Sequence, residues 1–215
     1  MNLDLNQLVK WRREFHRFPE IGWSEFWTTS RIADYLEDLG CFEIFLGKQI
    51  INPDFVRGRK QAVVDKGLAN AKAYGANEKW LEKMEGYTGC VALFDSGKPG
   101  KTIALRFDVD CVNVTETRSP EHIPNKEGFA SINDGFMHAC GHDSHITIGL
   151  GVALWIAQNK DKLTGKVKIV FQPAEEGVRG AAAIAQSGII DDADYFASSH
   201  ISFCANTGTV IANPR

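Results

Sequence analysis

The sequence predicts an α/β fold with a mostly parallel sheet and helices on both faces. Two observations carry it. Short apolar runs such as Val167–Phe171 alternate with longer segments of helical periodicity. Strands separated by helices imply crossover connections, parallel pairing and covered sheet faces. No internal repeat, low-complexity tract or linker interrupts the pattern.

Leu5, Leu8, Val9, Phe15 and Phe18 recur at roughly helical spacing, and Pro19 closes that first helix. A second helix is expected to start at Ser24, a good N-cap, and to stop at Gly40. Cys41–Leu46 reads as a strand. From Ile50 to Gly86 charged and small residues dominate, with helix-prone stretches near Val63–Ala73 and Glu78–Met84, so residues 50–86 read as a helical excursion from the main fold. Gly89–Phe94 and Thr102–Phe107 are strands joined by Ser96–Gly100, whose Gly and Pro residues have hairpin or tight-turn chemistry. A polar loop from Asp110 to Phe136 leads to a long apolar helix over His142–Asn159. The strand Val167–Phe171, a small-residue helix at Gly180–Ser187 and a strand over Tyr195–His200 complete the pattern.

A chain of 215 residues that is 44% hydrophobic and 10% aromatic can bury one sizeable core, or one large domain and part of another. Its net charge of −3 provides no basic field for nucleic acid or for an anionic membrane surface. Met1–Lys10 contains no continuous apolar run, which argues against a signal peptide or membrane span and makes the cytoplasm the expected location. The five cysteines are odd in number and widely spaced, which argues against a disulfide framework. Cys41, Cys90, Cys111 and Cys204 read as plain buried thiols; only Cys140 stands among other ligand types.

Those ligand types carry the chemistry. Cys140 and His142 lie in the loop entering the long helix, where the positive helix end favours a thiolate. Glu175 and Glu176 follow the strand Val167–Phe171, with Pro173 forcing the chain out of the ladder, and His200 closes the strand that begins near Tyr195. These last three fall just past strand ends or at them, where open α/β sheets place their sites. A thiolate, imidazoles and carboxylates hold zinc, manganese or cobalt, and a neighbouring carboxylate is the usual base for activating water. Taken singly, His142 and His145 are equally read as core or surface histidines, and adjacent glutamates as a solvated pair. Their conjunction is what favours a metal site. A zinc deaminase is a weaker reading, because its His-x-Glu and Pro-Cys-x-x-Cys pairs are absent.

The ordered motifs resemble those of the peptidase M20 family, in its amidohydrolase branch. His16-Arg17-Phe18-Pro19-Glu20 with Glu25 and Thr28 resembles the first signature and Ala104–Asp110 the second. Met137–His145, Phe171–Gly177 and His200 match the remaining signatures in order. Within the branch, the excursion Ile50–Gly86, the segment Glu175–Ala181 and Asp191–Phe196 are similar to the subgroup acting on p-aminobenzoyl-glutamate.

The resemblance implies a metal-dependent amidohydrolase that cleaves the amide of an N-acyl or N-aroyl amino acid. It implies two divalent ions, Mn2+ or Zn2+, held by Cys140 (bridging), His142, Glu176 and His200, with Glu175 as general base. Asp108 and Asp110 are candidates to orient a ligand histidine, surface aspartates being the other reading. Arg179 is a candidate for a substrate carboxylate, or else a surface arginine. His138 and His145 receive no role.

Members of this branch carry an inserted dimerisation domain, then return to the catalytic sheet with one more histidine. Residues 1–215 are therefore expected to be the N-terminal portion of the catalytic domain, incomplete at its C-terminal side. Homo- or hetero-oligomerisation with a related subunit is also expected. The other reading is an inactive fragment, or split-gene remnant, that binds metal or a partner without turnover. His200 also lacks the proline common after it in the family, and Cys111 replaces a small apolar residue.

Overall fold

A computed structural model describes residues 4–202 and 204–212. Helix α1 (Leu5–Arg17) is capped by the Asp4 side chain, which accepts from the Asn6 amide. Helix α2 (Phe26–Leu39) ends at Gly40, whose left-handed φ of 65° suits a residue without Cβ. Its start departs from expectation, because Glu25 rather than Ser24 occupies the N-cap position and provides no side-chain cap. Instead the buried Glu20 carboxylate, reaching from the preceding turn, accepts from the Trp27 and Thr28 amides. Ser24 turns its hydroxyl back to the Ile21 carbonyl.

Strand β1 (Glu43–Leu46) precedes the excursion, which contains helices α3 (Gln61–Ala73) and α4 (Glu78–Met84). Strands β2 (Cys90–Asp95) and β3 (Thr102–Asp108) follow. The expected polar loop contains one short helix, α5 (Ile123–Lys126). Then come α6 (His142–Asn159), β4 (Lys166–Gln172), α7 (Ala181–Ala185) and β5 (Tyr195–Ser198).

The strand order is β1-β2-β4-β3-β5. β1 pairs with β2, and β2 with β4, antiparallel; β3 pairs with β4 and β5 parallel. Four strands therefore point one way and only β2 is reversed, a mostly parallel sheet. The turn chemistry between β2 and β3 does not make a hairpin. β4 lies between them, with Phe171 opposite Cys90 on one side and Phe107 on the other. The physical reason is burial: Ile169, Val170 and Phe171 are nearly inaccessible, which favours a central position for β4. The connection crosses the start of β4, where Ser96 N donates to Gly165 O and Gly165 N to Lys98 O.

Helices α1, α2 and α6 cover one face, burying Phe15, Phe26, Leu36, Ile146 and Leu150 with Phe107 and Phe171. The other face is covered by α7 and the start of the excursion, through Trp23, Ile50, Ile51, Val91, Val170 and Ile184. Both faces are thus occupied, and β5 stands at the edge of the sheet with all four residues exposed. Among the described residues no helix is long and apolar enough to cross a membrane. All five cysteines are free; Cys90 and Cys111 are buried as expected, but Cys41 is half-buried and Cys204 exposed.

The approach of α6 to the sheet depends on Gly149. A Cβ there would lie 2.6 Å from Phe171 Cε1 and 2.9 Å from Phe107 Cδ2. Gly149→Ala is expected to overpack this contact at about 1–3 kcal/mol, partly offset by the roughly 1 kcal/mol helix preference of Ala. A lower melting temperature checks this; an unchanged or higher one would show that the two rings can yield.

Candidate metal centre

The C-terminal ends of β3, β4 and β5 converge on the N-terminus of α6, and the chain leaving each strand delivers one part of the site. Gly141, at φ 91°, is the N-cap of α6, and Ile201 Cδ1 lies against the place where its Cβ would be. A larger residue would strain this left-handed backbone and collide with the Ile201 side chain.

The structure brings Cys140, His142, Glu175, Glu176 and His200 together. Ligand atoms of Cys140, His142 and His200 lie within 4.8 Å of one another, and so do those of His142, Glu175 and Glu176. His142 Nδ1 is 2.7 Å from the Asp110 carbonyl, and His200 Nδ1 also meets a carbonyl, that of Ile201. A carbonyl can only accept, so each Nδ1 carries the proton and each Nε2 presents a lone pair. His200 Nε2 lies 3.4 Å from Cys140 Sγ, and His142 Nε2 lies 3.9 Å from oxygens of both Glu175 and Glu176.

His142 Nε2 and Glu176 Oε1 are buried without a hydrogen-bond partner among the described residues. Orphaned buried acceptors of this kind are costly, and they are what a cation would satisfy. The donor set of sulfur, imidazole and carboxylate fits a divalent transition ion.

A second layer fixes these groups. Asp110 is fully buried, and its two carboxylate oxygens accept from the Glu175 and Glu176 amides at 3.0 Å each, while its carbonyl orients His142. Buried Glu25 accepts from the Ala174 amide and the Thr88 hydroxyl. These bonds hold a turn in which Ala174 and Val178 adopt left-handed φ values of 50° and 57°. Such conformations cost roughly 1–3 kcal/mol each and persist only where surroundings enforce them.

Asp108 is also buried rather than on the surface, and it orients His145 instead of a member of the cluster. His145 Nε2 in turn accepts from the Ile201 amide at 2.9 Å, and its ring packs edge-on to His200 at 4.5 Å. His145 thereby ties the segment carrying His200 to α6. Arg179 donates from Nε to the Glu176 carbonyl, so its side chain braces the back of the turn.

Electrostatics separates the roles. Burial, with the Asp108, Glu176 and Asp110 carboxylates nearby and His142 only partly opposing them, holds the Glu175 carboxyl above its ordinary value, as suits a group that must carry a proton. Burial and the adjoining Glu176, Glu175 and Asp108 push the Cys140 thiol up to about 11. The expected thiolate-favouring helix end is therefore outweighed by burial and the carboxylates, and Cys140 is a thiol until a cation displaces its proton. Burial works against charging His142, but Asp110 and Asp108 outweigh it and raise its pKa.

A further buried network escaped sequence reasoning. His16 bonds Asp143 at 2.8 Å and Glu116 at 3.0 Å; Glu116 also meets His122 at 2.7 Å, and Arg12 meets Asp143 at 2.9 Å. Burial opposes protonation of His16, but the two carboxylates prevail and raise its pKa. Its partners lie 127 and 100 positions away, and the only sequence signal was His16 opening the first motif.

The sequence pattern of peptidase family M20/M25/M40 matches residues 104–213. The chain is 99% identical over all its 215 residues to a p-aminobenzoyl-glutamate hydrolase subunit homolog of Haemophilus influenzae, covering 51% of that protein. It is 44% identical over 212 residues to an indole-3-acetyl-aspartic acid hydrolase of Enterobacter agglomerans, covering 96% of this chain and 48% of that one. Among solved structures, an aminobenzoyl-glutamate utilization protein from Klebsiella pneumoniae superposes with TM-score 0.76 and 35% identity over 94% of this chain and 44% of the other. A dinuclear metal-binding M20 peptidase from Bacillus subtilis superposes with TM-score 0.67 and 28% identity, over 92% and 43%. The chain spans about half the length of the curated relatives it matches. With the motif order, the strand-end cluster, this fold and these matches in agreement, the chain belongs to peptidase family M20/M25/M40.

Proposed function

We propose that this chain provides the metal-binding and proton-transfer groups of an amidohydrolase that cleaves an N-acyl or N-aroyl amino acid. The observation that carries the proposal is the pair of orphaned acceptors, His142 Nε2 and Glu176 Oε1, with His142 shared between the Cys140–His200 group and the Glu175–Glu176 group. Cys140, His142, Glu176 and His200 would hold two divalent ions, Mn2+ or Zn2+. When bound, such a pair supplies Lewis-acid polarisation of the amide carbonyl and lowers the pKa of water.

The chain's own groups do the rest. Glu175 Oε takes a proton from the attacking water and returns it to the departing amine nitrogen. Asp110 holds Glu175 and Glu176 apart in role by fixing both of their amides. The relatives' names supply the substrate class: p-aminobenzoyl-glutamate and indole-3-acetyl-aspartate are both planar aromatic acyl groups on acidic amino acids. We assign that class here, with p-aminobenzoyl-glutamate or a close analogue as substrate. The chain is proposed to be the N-terminal portion of a catalytic domain, with the excursion at 50–86 as its insertion, working with a related subunit in the cytoplasm. A non-catalytic portion that binds metal or a partner is the second reading, favoured by the open β5 edge.

Metal analysis after dialysis against Mn2+ or Zn2+ tests the site. Wild type is expected to retain metal and Cys140→Ala to retain much less; equal metal in both would remove Cys140 from the ligand set.

A further inference from the structure

Three imidazoles stand together at the N-terminus of α6, and the proposed chemistry uses only two of them. His145 lies between the rings of His142, stacked on it at 5.3 Å, and His200, edge-on at 4.5 Å. It is fully buried, and by distance alone it could share an ion with Asp108 and His142. Its hydrogen bonds assign it otherwise. The Ile201 amide lies 2.9 Å from Nε2 and can only donate, so Nε2 carries no proton. The proton is therefore on Nδ1, where the Asp108 carboxylate accepts it. Both nitrogens are taken, and His145 is left with none to offer a metal.

What holds His145 is rigid. Asp108 Oδ2 meets Arg106 Nη1 at 2.7 Å, and Arg106 Nε donates to Gln172 Oε1 at 2.8 Å. Asp108 and Gln172 are the last residues of β3 and β4, so the imidazole is braced against two inner strands of the sheet. What His145 holds is not. β5 ends at Ser198 with all four of its residues exposed, and the chain beyond it leaves the ladder. Among the described residues, the bond from the Ile201 amide to His145 is the one backbone hydrogen bond between residues 200–202 and another element. The His200 ring is bonded in turn to the carbonyl of Ile201, the residue whose amide His145 grips. The position of His200 thus depends on His145.

We propose that His145, oriented by Asp108, is a positioning residue that sets His200 Nε2 beside Cys140 in readiness for metal. The proposal rests on the metal reading and deepens it. Without this bond His200 belongs to an exposed segment, and a ligand that must be ordered on binding weakens affinity by the freedom it loses. His145 acts through His200 and not by touching the ion.

The test titrates Co2+ into the 215-residue chain, its fold checked by circular dichroism, and follows the visible absorption of the bound ion. His145→Phe keeps a ring but neither nitrogen, and is expected to weaken Co2+ binding about 10–100-fold. His145→Gln, whose amide can donate to Asp108 and accept from Ile201, should restore most of that loss. In a chain already carrying His200→Ala, His145→Phe should add no further loss, because its effect passes through His200. A ring that only fills space would weaken both backgrounds alike. The proposal is overturned by wild-type affinity in His145→Phe, by a His145→Gln as weak as His145→Phe, or by a loss that persists beside His200→Ala. Each of these leaves the metal reading standing, whereas a wild type that binds no Co2+ removes that reading and this role together. Should His145→Phe fail to fold, nitrogen-15 NMR of the wild-type imidazole decides: a proton on Nδ1 alone supports the assignment, and a proton on Nε2 overturns it.

Discussion

Glu175→Gln, carried in the full-length Haemophilus influenzae relative, is expected to lower kcat by about 10²–10⁴-fold, the usual worth of a positioned general base. Bound metal should be unchanged. Glutamine keeps the size and hydrogen-bonding reach of glutamate but cannot accept the proton of the attacking water. Glu176→Gln should lower both turnover and metal content, because Glu176 Oε1 is the buried, unpartnered oxygen. Parallel measurement of kcat and metal content distinguishes the two. Full activity in Glu175→Gln, or loss of its metal, would refute this division of labour.

The second large effect is expected at Asp110. Its carboxylate accepts from the Glu175 and Glu176 amides, each at 3.0 Å. Asp110→Ala strands both donors within a turn that already holds Ala174 and Val178 at positive φ. Each stranded buried donor costs about 1–3 kcal/mol, and lost support of metal-binding groups typically weakens metal affinity about 10–100-fold. Asp110→Asn should be nearly as damaging, since its amide nitrogen would face a backbone N–H. Urea denaturation with metal titration checks both. Native stability and affinity in Asp110→Asn would show that the turn holds itself.

The parts of this molecule that were legible in the sequence are those encoded over short distances. Helix α6 was bounded correctly at His142 and Asn159 because its apolar run is long and uninterrupted. Glu175, Glu176 and His200 stood out because each follows a strand, and Cys140 and His142 because they open the long helix α6. The order of strands was not legible. Gly and Pro between β2 and β3 signal a reversal, but only the burial of Ile169–Phe171 decides that β4 enters between them.

Asp108 and Asp110 were singled out as supporting groups, but most partners of the supporting carboxylates were hidden for a related reason. Glu25 and Ala174 are 149 positions apart and Asp108 and His145 are 37 apart, so no local spacing announces either bond. The state of Cys140 was misread because the helix end is visible in the sequence, whereas the burial of the thiol and the three carboxylates that close on it come from the ends of β3 and β4.

The central claim is that one small space bounded by Cys140, His142, Glu176 and His200 holds divalent metal. Anomalous X-ray diffraction at the absorption edge of zinc or manganese, from crystals of the chain grown with that ion, tests this most directly. The expected result is anomalous density in contact with Cys140 Sγ, His142 Nε2, a Glu176 oxygen and His200 Nε2. Density confined to the His16–Glu116–His122 network, or none at all with metal present, would contradict it.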